Sequence, residues 1–307
     1  MSKKPGIINV LKPPGMTSFD VVGYIKRVLQ IKKVGHTGTL DPAAAGVLPV
    51  CLHRATKIIP YLPEEKKEYI ARIKLGVKTD TLDADGEILA RDNNWETLNH
   101  IKIKDVINNF QGEIQQKPPI YSAVKVNGKR LYNYARNDQE VEVEIEDRTV
   151  NIYNIEVLNI DLPLIKIKVT CSKGTYIRSL ARDIGSELNT FAHLKNLLRT
   201  ASGPFKLDNT VTLEEINEEN LENIMISIDK PFSFREMDVK DYAYKYAING
   251  TKLQIKNFKK WPSNIKIGER LLIYCKDQFI SISEVKEDED NNIYIQPLRV
   301  FHNGGQK

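Results

Sequence analysis

Short segments in which apolar and polar residues alternate dominate the pattern along this chain. Over residues 66–77, apolar side chains recur at every second position from Tyr69 onward, with mostly polar residues between them. Residues 165–171 repeat the alternation, with lysine and threonine at the intervening positions. Because successive side chains of a strand point to opposite faces, both segments are predicted to be strands with one buried face.

A helical period appears at fewer places. After an apolar run at residues 6–11, which is predicted to be a strand, Thr17 and Asp20 have the spacing of a capping box, and the apolar residues that follow predict a helix of about three turns. Residues 176–188 and the Glu-rich residues 213–225 are predicted helices too. Strands and helices at irregular intervals predict an α+β fold with a mixed sheet.

The pattern of apolar and turn-forming residues changes near the carboxyl end of the chain. From about residue 239, short strand-like runs are separated by turn signals, which are Asn249-Gly250 and Gly268. This pattern predicts a small β-rich domain of roughly 70 residues. We therefore expect a large domain at residues 1–235 and a small one at residues 236–307.

Composition narrows the class of protein. The chain has 307 residues, of which 41% are hydrophobic, as is ordinary for a globular protein. No apolar run approaches the roughly 18 residues of a membrane span and the amino terminus lacks a signal peptide, so we expect a cytoplasmic protein without membrane association. The three cysteines are isolated and predict buried thiols, and the five histidines are too dispersed to predict a metal site.

Basic charge is concentrated in the amino-terminal part. The whole chain carries +5, whereas residues 1–60 hold nine basic and two acidic residues, a net charge of +7. Such an excess suits the phosphates of a nucleic acid, although scattered lysines on a hydrated surface explain it equally well. Residues 117–150 interleave basic residues with Tyr121 and two further tyrosines. This mixture is typical of RNA-binding surfaces, and an ordinary amphipathic hairpin is the alternative.

Residues 35–50, GHTGTLDPAAAGVLPV, hold a single carboxylate, Asp41. Pro42 favours extended backbone at Asp41, and the glycines permit turns, so the segment is predicted to be a loop that presents the carboxylate. An aspartate in such a loop often makes only a local turn hydrogen bond, and the residues alone leave this alternative open. Two nearby patterns are incomplete: residues 81–92 lack the glutamate of an EF-hand, and residues 35–39 lack the lysine of a phosphate-binding loop.

Six segments resemble, in order and spacing, the TruB family of tRNA pseudouridine synthases. They are KPPGMTSFDVV, VGHTGTLDPAAAGVLPV, KEYIARIKLGVKTDTLDADG, PPIYSAVKVNGKRLY, GTYIRSLARDIG and LLRTASGPF. The carboxyl-terminal region resembles a PUA-type RNA-binding module. The resemblance implies a largely antiparallel pseudouridine synthase sheet flanked by helices in residues 1–235, an RNA-binding insertion at about 117–150, and a PUA-like domain at 236–307.

The resemblance also implies an activity. Family members convert a uridine within tRNA to its C-glycoside isomer, in which the base is detached, rotated and rejoined through carbon 5. We expect the substrate to be uridine 55 in the T-arm loop. Because the product is an isomer, no cofactor or metal is expected, and a monomer that needs neither guide RNA nor a protein partner is implied.

Seven site residues follow from the matched motifs. The family's catalytic aspartate matches Asp41, the arginine that pairs with it matches Arg178, and the tyrosine that stacks on the target base matches Tyr69. Four further positions match substrate-binding residues, namely His36, which fills the space left by the flipped base, Tyr176 and Leu197, which complete the uracil pocket, and Lys12, which supports it. The chain departs from the family at Leu198, where an arginine is frequent.

Several alternatives remain open at this stage. Asp41 can attack the anomeric carbon, add to carbon 6 of uracil, or assist a glycal route. An RNA-binding or RNA-folding protein with a vestigial pocket is a second function class. A glycoside hydrolase is a third, for which the nearest paired acids lie in residues 80–85. A guide-RNA-dependent relative of the same superfamily is the fourth.

Overall fold

The computed structural model describes residues 5–62, 66–122, 124–126, 129–131 and 145–301. Sixteen of the 34 residues of the predicted RNA-binding insertion, including Tyr132 and Tyr134, lie outside these ranges. The predictions made for those residues therefore stay predictions.

Strands make up most of the regular structure. In chain order they are β1 (Gly6–Lys12), β2 (Val34–His36), β3 (Ala45–Leu52), β4 (Lys67–Leu75), β5 (Val77–Thr79), β6 (Ile88–Arg91), β7 (Gly112–Gln116), β8 (Lys125–Val126), β9 (Lys129–Arg130), β10 (Arg148–Asp161), β11 (Leu164–Cys171), β12 (Ala192–Ser202), β13 (Phe205–Lys206), β14 (Met225–Ile226), β15 (Arg235–Asp238), β16 (Leu253–Gln254), β17 (Arg270–Cys275), β18 (Gln278–Glu287) and β19 (Ile293–Val300).

The helices are short. Within the described residues, the α-helices are α1 (Ser18–Val28), α2 (His100–Asn108), α3 (Ile177–Glu187), α4 (Leu221–Ile224) and α5 (Tyr244–Ile248). Single 3₁₀ segments span His53–Tyr61, Asn94–Thr97, Leu207–Asn209, Asp241–Ala243 and Ile255–Asn257. Within the described residues, no helix is long and apolar enough to cross a membrane.

A ten-stranded sheet organises the larger part of the chain. Its strand order is β14-β1-β3-β12-β4-β11-β10-β7, with β2 paired to β3 and β13 paired to β12. All of these pairs are antiparallel except β12 with β3, which is parallel. The predicted α+β fold with a mixed, largely antiparallel sheet is therefore confirmed.

The alternating segments bury one face of this sheet, as predicted. On β4 the side chains of Tyr69, Ala71 and Ile73 are buried, and the intervening residues are partly or fully exposed. Apolar residues of α2 and α3 join the same core cluster. The buried face thus lies under these two helices.

Helix α1 begins where the capping-box spacing predicted it. The Asp20 amide donates to Thr17 Oγ1 at 3.0 Å, and the Thr17 amide donates to Asp20 Oδ2 at 2.8 Å. The helix then packs Val21, Val22 and Ile25 into a cluster with residues of β1 and β3. This local signal was sufficient because both partners of the cap lie within one turn.

Two predicted elements were wrong in extent. The helix expected over residues 213–225 is reduced to α4, because asparagine side chains bind backbone groups that a helix would use: Asn217 Oδ1 accepts from the Asn220 amide at 2.8 Å, and Asn220 Nδ2 donates to the Glu215 carbonyl at 3.0 Å. The loop expected over residues 35–50 is confined to residues 37–44, since its two ends form β2 and β3, which pair with each other, and β3 also pairs with β1.

A second sheet forms the carboxyl-terminal part. Its five strands follow the order β15-β17-β18-β19-β16, which confirms the predicted β-rich region. Ile7 and Val47 of the large sheet share a core cluster with Leu272 and Ile282 of the second sheet. The two sheets therefore pack directly against each other, while the domain boundary at 235/236 stays a prediction. The three cysteines are buried, as expected.

Candidate active site

The loop at residues 37–44 presents Asp41 and is anchored on both sides of it. The Leu40 amide donates to Ser18 Oγ at 2.8 Å, and the Ser18 hydroxyl donates to the Leu40 carbonyl at 3.0 Å. The Pro42 carbonyl accepts from the Gly15 amide at 2.9 Å. Ser18 opens α1 and Gly15 belongs to the turn before it, so the helix start fixes the loop. The Asp41 side chain remains 40% exposed.

Lys12 supports the same loop from below. Its side chain is fully buried, and its Nζ donates to the carbonyls of Pro13 at 2.8 Å, Met16 at 2.6 Å and Pro42 at 3.1 Å. Burial lowers the pKa of Lys12 to about 8, against the opposing attraction of the Asp41 carboxylate. Lys12 thus ties the residue after Asp41 to the strand β1 from which it extends.

Arg178 reaches Asp41 from the first turn of α3. Its Nε lies 2.9 Å from Asp41 Oδ2, at an angle unsuited to a hydrogen bond, so the contact is an ion pair. The other two nitrogens donate to the carbonyls of Thr81 at 3.1 Å and Tyr121 at 3.0 Å. Only 6% of the Arg178 side chain is exposed. A guanidinium held this way stabilises the charged carboxylate without moving towards it.

An open cavity of about 470 Å³ lies beside this ion pair. Five of the seven predicted site residues line it: Asp41, Tyr69, Tyr176, Arg178 and Leu197. The volume falls in the range that accommodates small ligands and nucleobases. Within the described residues, no group of three or more His, Cys, Asp or Glu side chains is arranged to hold a metal ion.

Tyr69 forms the buried wall of this cavity. It is 7% exposed, and burial raises its pKa to about 12, which the nearby charge of Arg199 only partly opposes. The phenol is therefore neutral near pH 7 and can donate a hydrogen bond. Tyr69 and Leu197 come from adjacent strands, since Leu197 pairs with Ala71 of β4.

Comparison with known proteins places the chain in a family. A family model described as TruB family pseudouridylate synthase (N terminal domain) matches residues 26–177, and one described as tRNA pseudouridylate synthase B C-terminal domain matches residues 178–229. The tRNA pseudouridine synthase B of Clostridium tetani is 47% identical over 91% of this chain and 95% of its own. That of Alkaliphilus oremlandii is 44% identical over 96% and 98%.

The chain belongs to the TruB family. Two solved structures share its fold. A chain in the structure of an H/ACA RNP bound to a substrate RNA containing 2′-deoxyuridine has a TM-score of 0.72 and 29% identity, covering 97% of this chain and 85% of that chain. A chain of a Cbf5-Nop10-Gar1 complex also has a TM-score of 0.72, with 32% identity and the same coverage.

The two predicted residues that do not line the cavity of this TruB family member support its surroundings. Lys12 contacts loop carbonyls, as described above, and His36 lies on β2 opposite Val50. Burial first, and then the charges of Arg199 and Lys67, lower the pKa of His36, so its ring is neutral near pH 7. Among the residues that the structure describes, its buried Nδ1 has no hydrogen-bond partner.

Tyr176 is fixed through its backbone. Its amide donates to Gln116 Oε1 at 2.8 Å, and Gln116 Nε2 donates to the Tyr176 carbonyl at 3.1 Å. This reciprocal pair joins the end of β7 to the residue that precedes α3. The Tyr176 ring is thereby held at the cavity wall two residues before Arg178.

Leu198, where the family frequently has arginine, faces away from the cavity. Leu198 pairs with Ile70, whereas Leu197 pairs with the buried Ala71. Directly paired residues of antiparallel strands share a face, so Leu198 lies on the opposite face of the sheet from the cavity. An RNA contact made by an arginine here would therefore lie outside the base pocket.

Sequence reasoning missed Asp83, which is the second carboxylate beside Arg178. Its Oδ2 lies 3.7 Å from Arg178 Nη1, and its Oδ1 accepts from Thr81 Oγ1 at 2.6 Å and from the Asp85 amide at 3.2 Å. The sequence showed only an acid-rich turn, which we weighed as a calcium loop or a glycosidase partner. The structure instead joins Asp83 to the guanidinium that contacts Asp41.

Proposed function

We propose that this chain is a tRNA pseudouridine synthase that converts uridine 55 in the T-arm loop of tRNA to pseudouridine. One observation carries the proposal: Asp41, paired with Arg178 at 2.9 Å, opens onto a cavity of about 470 Å³ walled by Tyr69. The relatives named tRNA pseudouridine synthase B support the substrate class. The T-loop position rests on the motif resemblance.

Base flipping comes before the chemistry. A uridine in a folded loop is stacked, and extruding it costs roughly a few kcal/mol. The cavity receives the uracil, on which Tyr69 stacks, while Tyr176 and Leu197 enclose it. His36 fills the space that the base leaves, and a neutral ring is suited to packing there.

Asp41 then acts as the reactive carboxylate. Arg178 holds it in place while its exposed oxygen meets the nucleotide. The carboxylate attacks the anomeric carbon, adds to carbon 6, or assists removal of a sugar proton; each route ends with the base rejoined through carbon 5. The isomerisation consumes no redox equivalent, because the bond from the sugar to nitrogen 1 is replaced by one to carbon 5, and the proton lost from carbon 5 is balanced by the proton gained at nitrogen 1.

We propose that the carboxyl-terminal region, residues 236–307, is a PUA-like domain that binds the tRNA away from the target base. Tyr242 and Tyr246 are 58% and 50% exposed. Six lysines and a single acid occur over residues 240–261. Exposed rings among cations suit stacking on bases next to a neutralised backbone. The insertion at about 117–150 is proposed to contact the T-arm itself.

The enzyme is further proposed to act as a monomer in the cytoplasm, without a guide RNA or a protein partner. The location follows from that of the tRNA substrate. An RNA-binding or tRNA-folding protein with dispensable catalysis is the alternative.

Purified protein incubated with an unmodified tRNA transcript tests this proposal. Pseudouridine mapped at single-nucleotide resolution should appear at position 55. Binding without isomerisation would favour the RNA-folding alternative, and release of free uracil would favour a hydrolase. Modification that required an added guide RNA would favour the guide-dependent relative.

A further inference from the structure

Arg199 is a completely buried cation beneath the site. Its Nε donates to the Val47 carbonyl at 2.7 Å, and its two terminal nitrogens donate to the carbonyls of Thr39 at 3.2 Å and Gly38 at 3.1 Å. No ion pair joins it to a carboxylate among the described residues. Burying a guanidinium costs free energy unless its donors are hydrogen-bonded, and the hydrogen bonds to these three carbonyls offset that cost.

These carbonyls bracket Asp41 along the chain. Gly38 and Thr39 precede the aspartate in the loop, and Val47 follows it in β3. Hydrogen bonds from one rigid group to both sides of a loop fix the loop's width. Arg199 therefore limits how far the backbone of Asp41 can shift.

The same residue stands between the loop and Tyr69. In the sheet, Arg199 pairs with Tyr69 on one side and with Gly46 on the other. A Cβ on Gly46 would lie 2.2 Å from the Arg199 carbonyl oxygen, so glycine alone allows the strands this approach. Arg199 therefore lies between the loop that carries Asp41 and the strand that carries Tyr69, and it contacts both.

We propose that Arg199 is a positioning residue for the isomerisation, which holds the loop of Asp41 at a fixed distance from Tyr69. The inference rests on the function proposed above. Arg199 does not line the cavity, so it acts through Asp41 and Tyr69 and not on the substrate.

The planar fork of arginine is required for this task. Lys12 serves three carbonyls through one nitrogen, because those carbonyls converge on a point. The three carbonyls around Arg199 are each reached by a different nitrogen. A lysine ammonium is a single point and cannot reach all three.

Arg199→Lys and Arg199→Met test the proposal, with Arg72→Met as the matched control. Arg72 is exposed on β4, on the face opposite Tyr69. Titration with tRNA transcript first gives the binding-competent fraction of each protein. The rate constant of pseudouridine formation is then measured with competent enzyme in excess over tRNA. Arg199→Lys should bind tRNA with nearly wild-type stoichiometry and lose about 100-fold in rate constant, and Arg199→Met should lose at least as much.

If Arg199→Met fails to fold, Arg199→Lys carries the test, because it keeps the charge and most of the volume. A rate constant within about threefold of wild type for Arg199→Lys would overturn the proposal. A loss confined to the binding-competent fraction would reduce Arg199 to a folding role. If the wild-type protein forms no pseudouridine, the proposed function itself is overturned. If wild type, Arg72→Met and Arg199→Lys are all active, only the inference about Arg199 is overturned.

Discussion

Substituting Arg178 by lysine perturbs the geometry around Asp41 while keeping the charge. The guanidinium makes an ion pair with Asp41 at 2.9 Å and hydrogen bonds to the carbonyls of Thr81 and Tyr121 at 3.1 and 3.0 Å. A lysine Nζ that reaches Asp41 leaves both carbonyls without this donor. We therefore expect the lysine side chain to exchange between the Asp41 carboxylate and the carbonyls of Thr81 and Tyr121, so that Asp41 loses its fixed orientation.

The size of the effect follows from these contacts. A hydrogen bond that involves a charged group contributes about 1.5–3 kcal/mol, so losing two removes enough energy to displace the side chain. A displacement of about 1 Å in a reacting group costs about 100-fold in rate. That factor corresponds to about 2.7 kcal/mol of transition-state stabilisation. Arg178→Lys should thus lower the isomerisation rate constant about 100-fold while changing tRNA affinity by less than about threefold.

Single-turnover formation of pseudouridine in a tRNA transcript measures the rate, and filter binding measures affinity. Arg182→Lys is the matched control, since Arg182 lies one turn later on α3, pairs with Asp183 at 2.7 Å and does not line the cavity. The control should retain the wild-type rate. If Arg178→Lys kept more than about a third of that rate, the requirement for the fork would be refuted.

Three further predictions concern the groups around this pair. Asp83→Asn should slow isomerisation about tenfold under single turnover, because it removes the second anion from Arg178, and an unchanged rate would contradict the shared network. The Lys12 pKa is lowered to about 8 from the ordinary 10.5, so the unfolded chain binds more protons between these values. The free energy of unfolding of wild type, relative to that of Lys12→Met, should therefore rise with pH across this window in denaturant titrations, and a fall would contradict the shift. Gly46→Ala should lower the free energy of unfolding by more than about 2 kcal/mol, because the residue has a positive φ and its new Cβ would overlap the Arg199 backbone. Gly15→Ala, which also has a positive φ but faces open space, should cost about 1 kcal/mol. Equal losses in thermal unfolding would refute the close approach of the Gly46 and Arg199 backbones.

Local patterns predicted the elements whose stabilising contacts are local. The cap of α1 was visible because Thr17 and Asp20 are three residues apart. The alternation over residues 66–77 predicted β4, which spans Lys67–Leu75. In each case the sequence signal and the structural cause are the same contact or the same buried face.

Elements fixed by distant partners were predicted less well. β2 and β3 shortened the predicted loop because Gly35 pairs with Cys51 and Leu48 pairs with Val10, and no local pattern announces these pairs. The helix expected over residues 213–225 failed for a local reason that helical periodicity does not count. Asparagine side chains there bind the Asn220 amide and the Glu215 carbonyl in place of helical backbone partners.

The site shows the same division. Residue patterns singled out Asp41 as an exposed carboxylate, but only family resemblance paired it with Arg178, which lies in a different element. Asp83 and Arg199 were not predicted, because their significance depends on the register that brings a turn and a strand to the loop. Residue type and spacing do not predict the distance between side chains that lie far apart in the sequence.

Conversion of an unmodified tRNA transcript by Asp41→Asn tests the central claim most directly. Asparagine matches aspartate in size but lacks the charged oxygen that Arg178 holds at the cavity. The account predicts tRNA binding within about threefold of wild type and no detectable pseudouridine after many wild-type half-lives. Pseudouridine formed by this variant at a rate near that of wild type would contradict it.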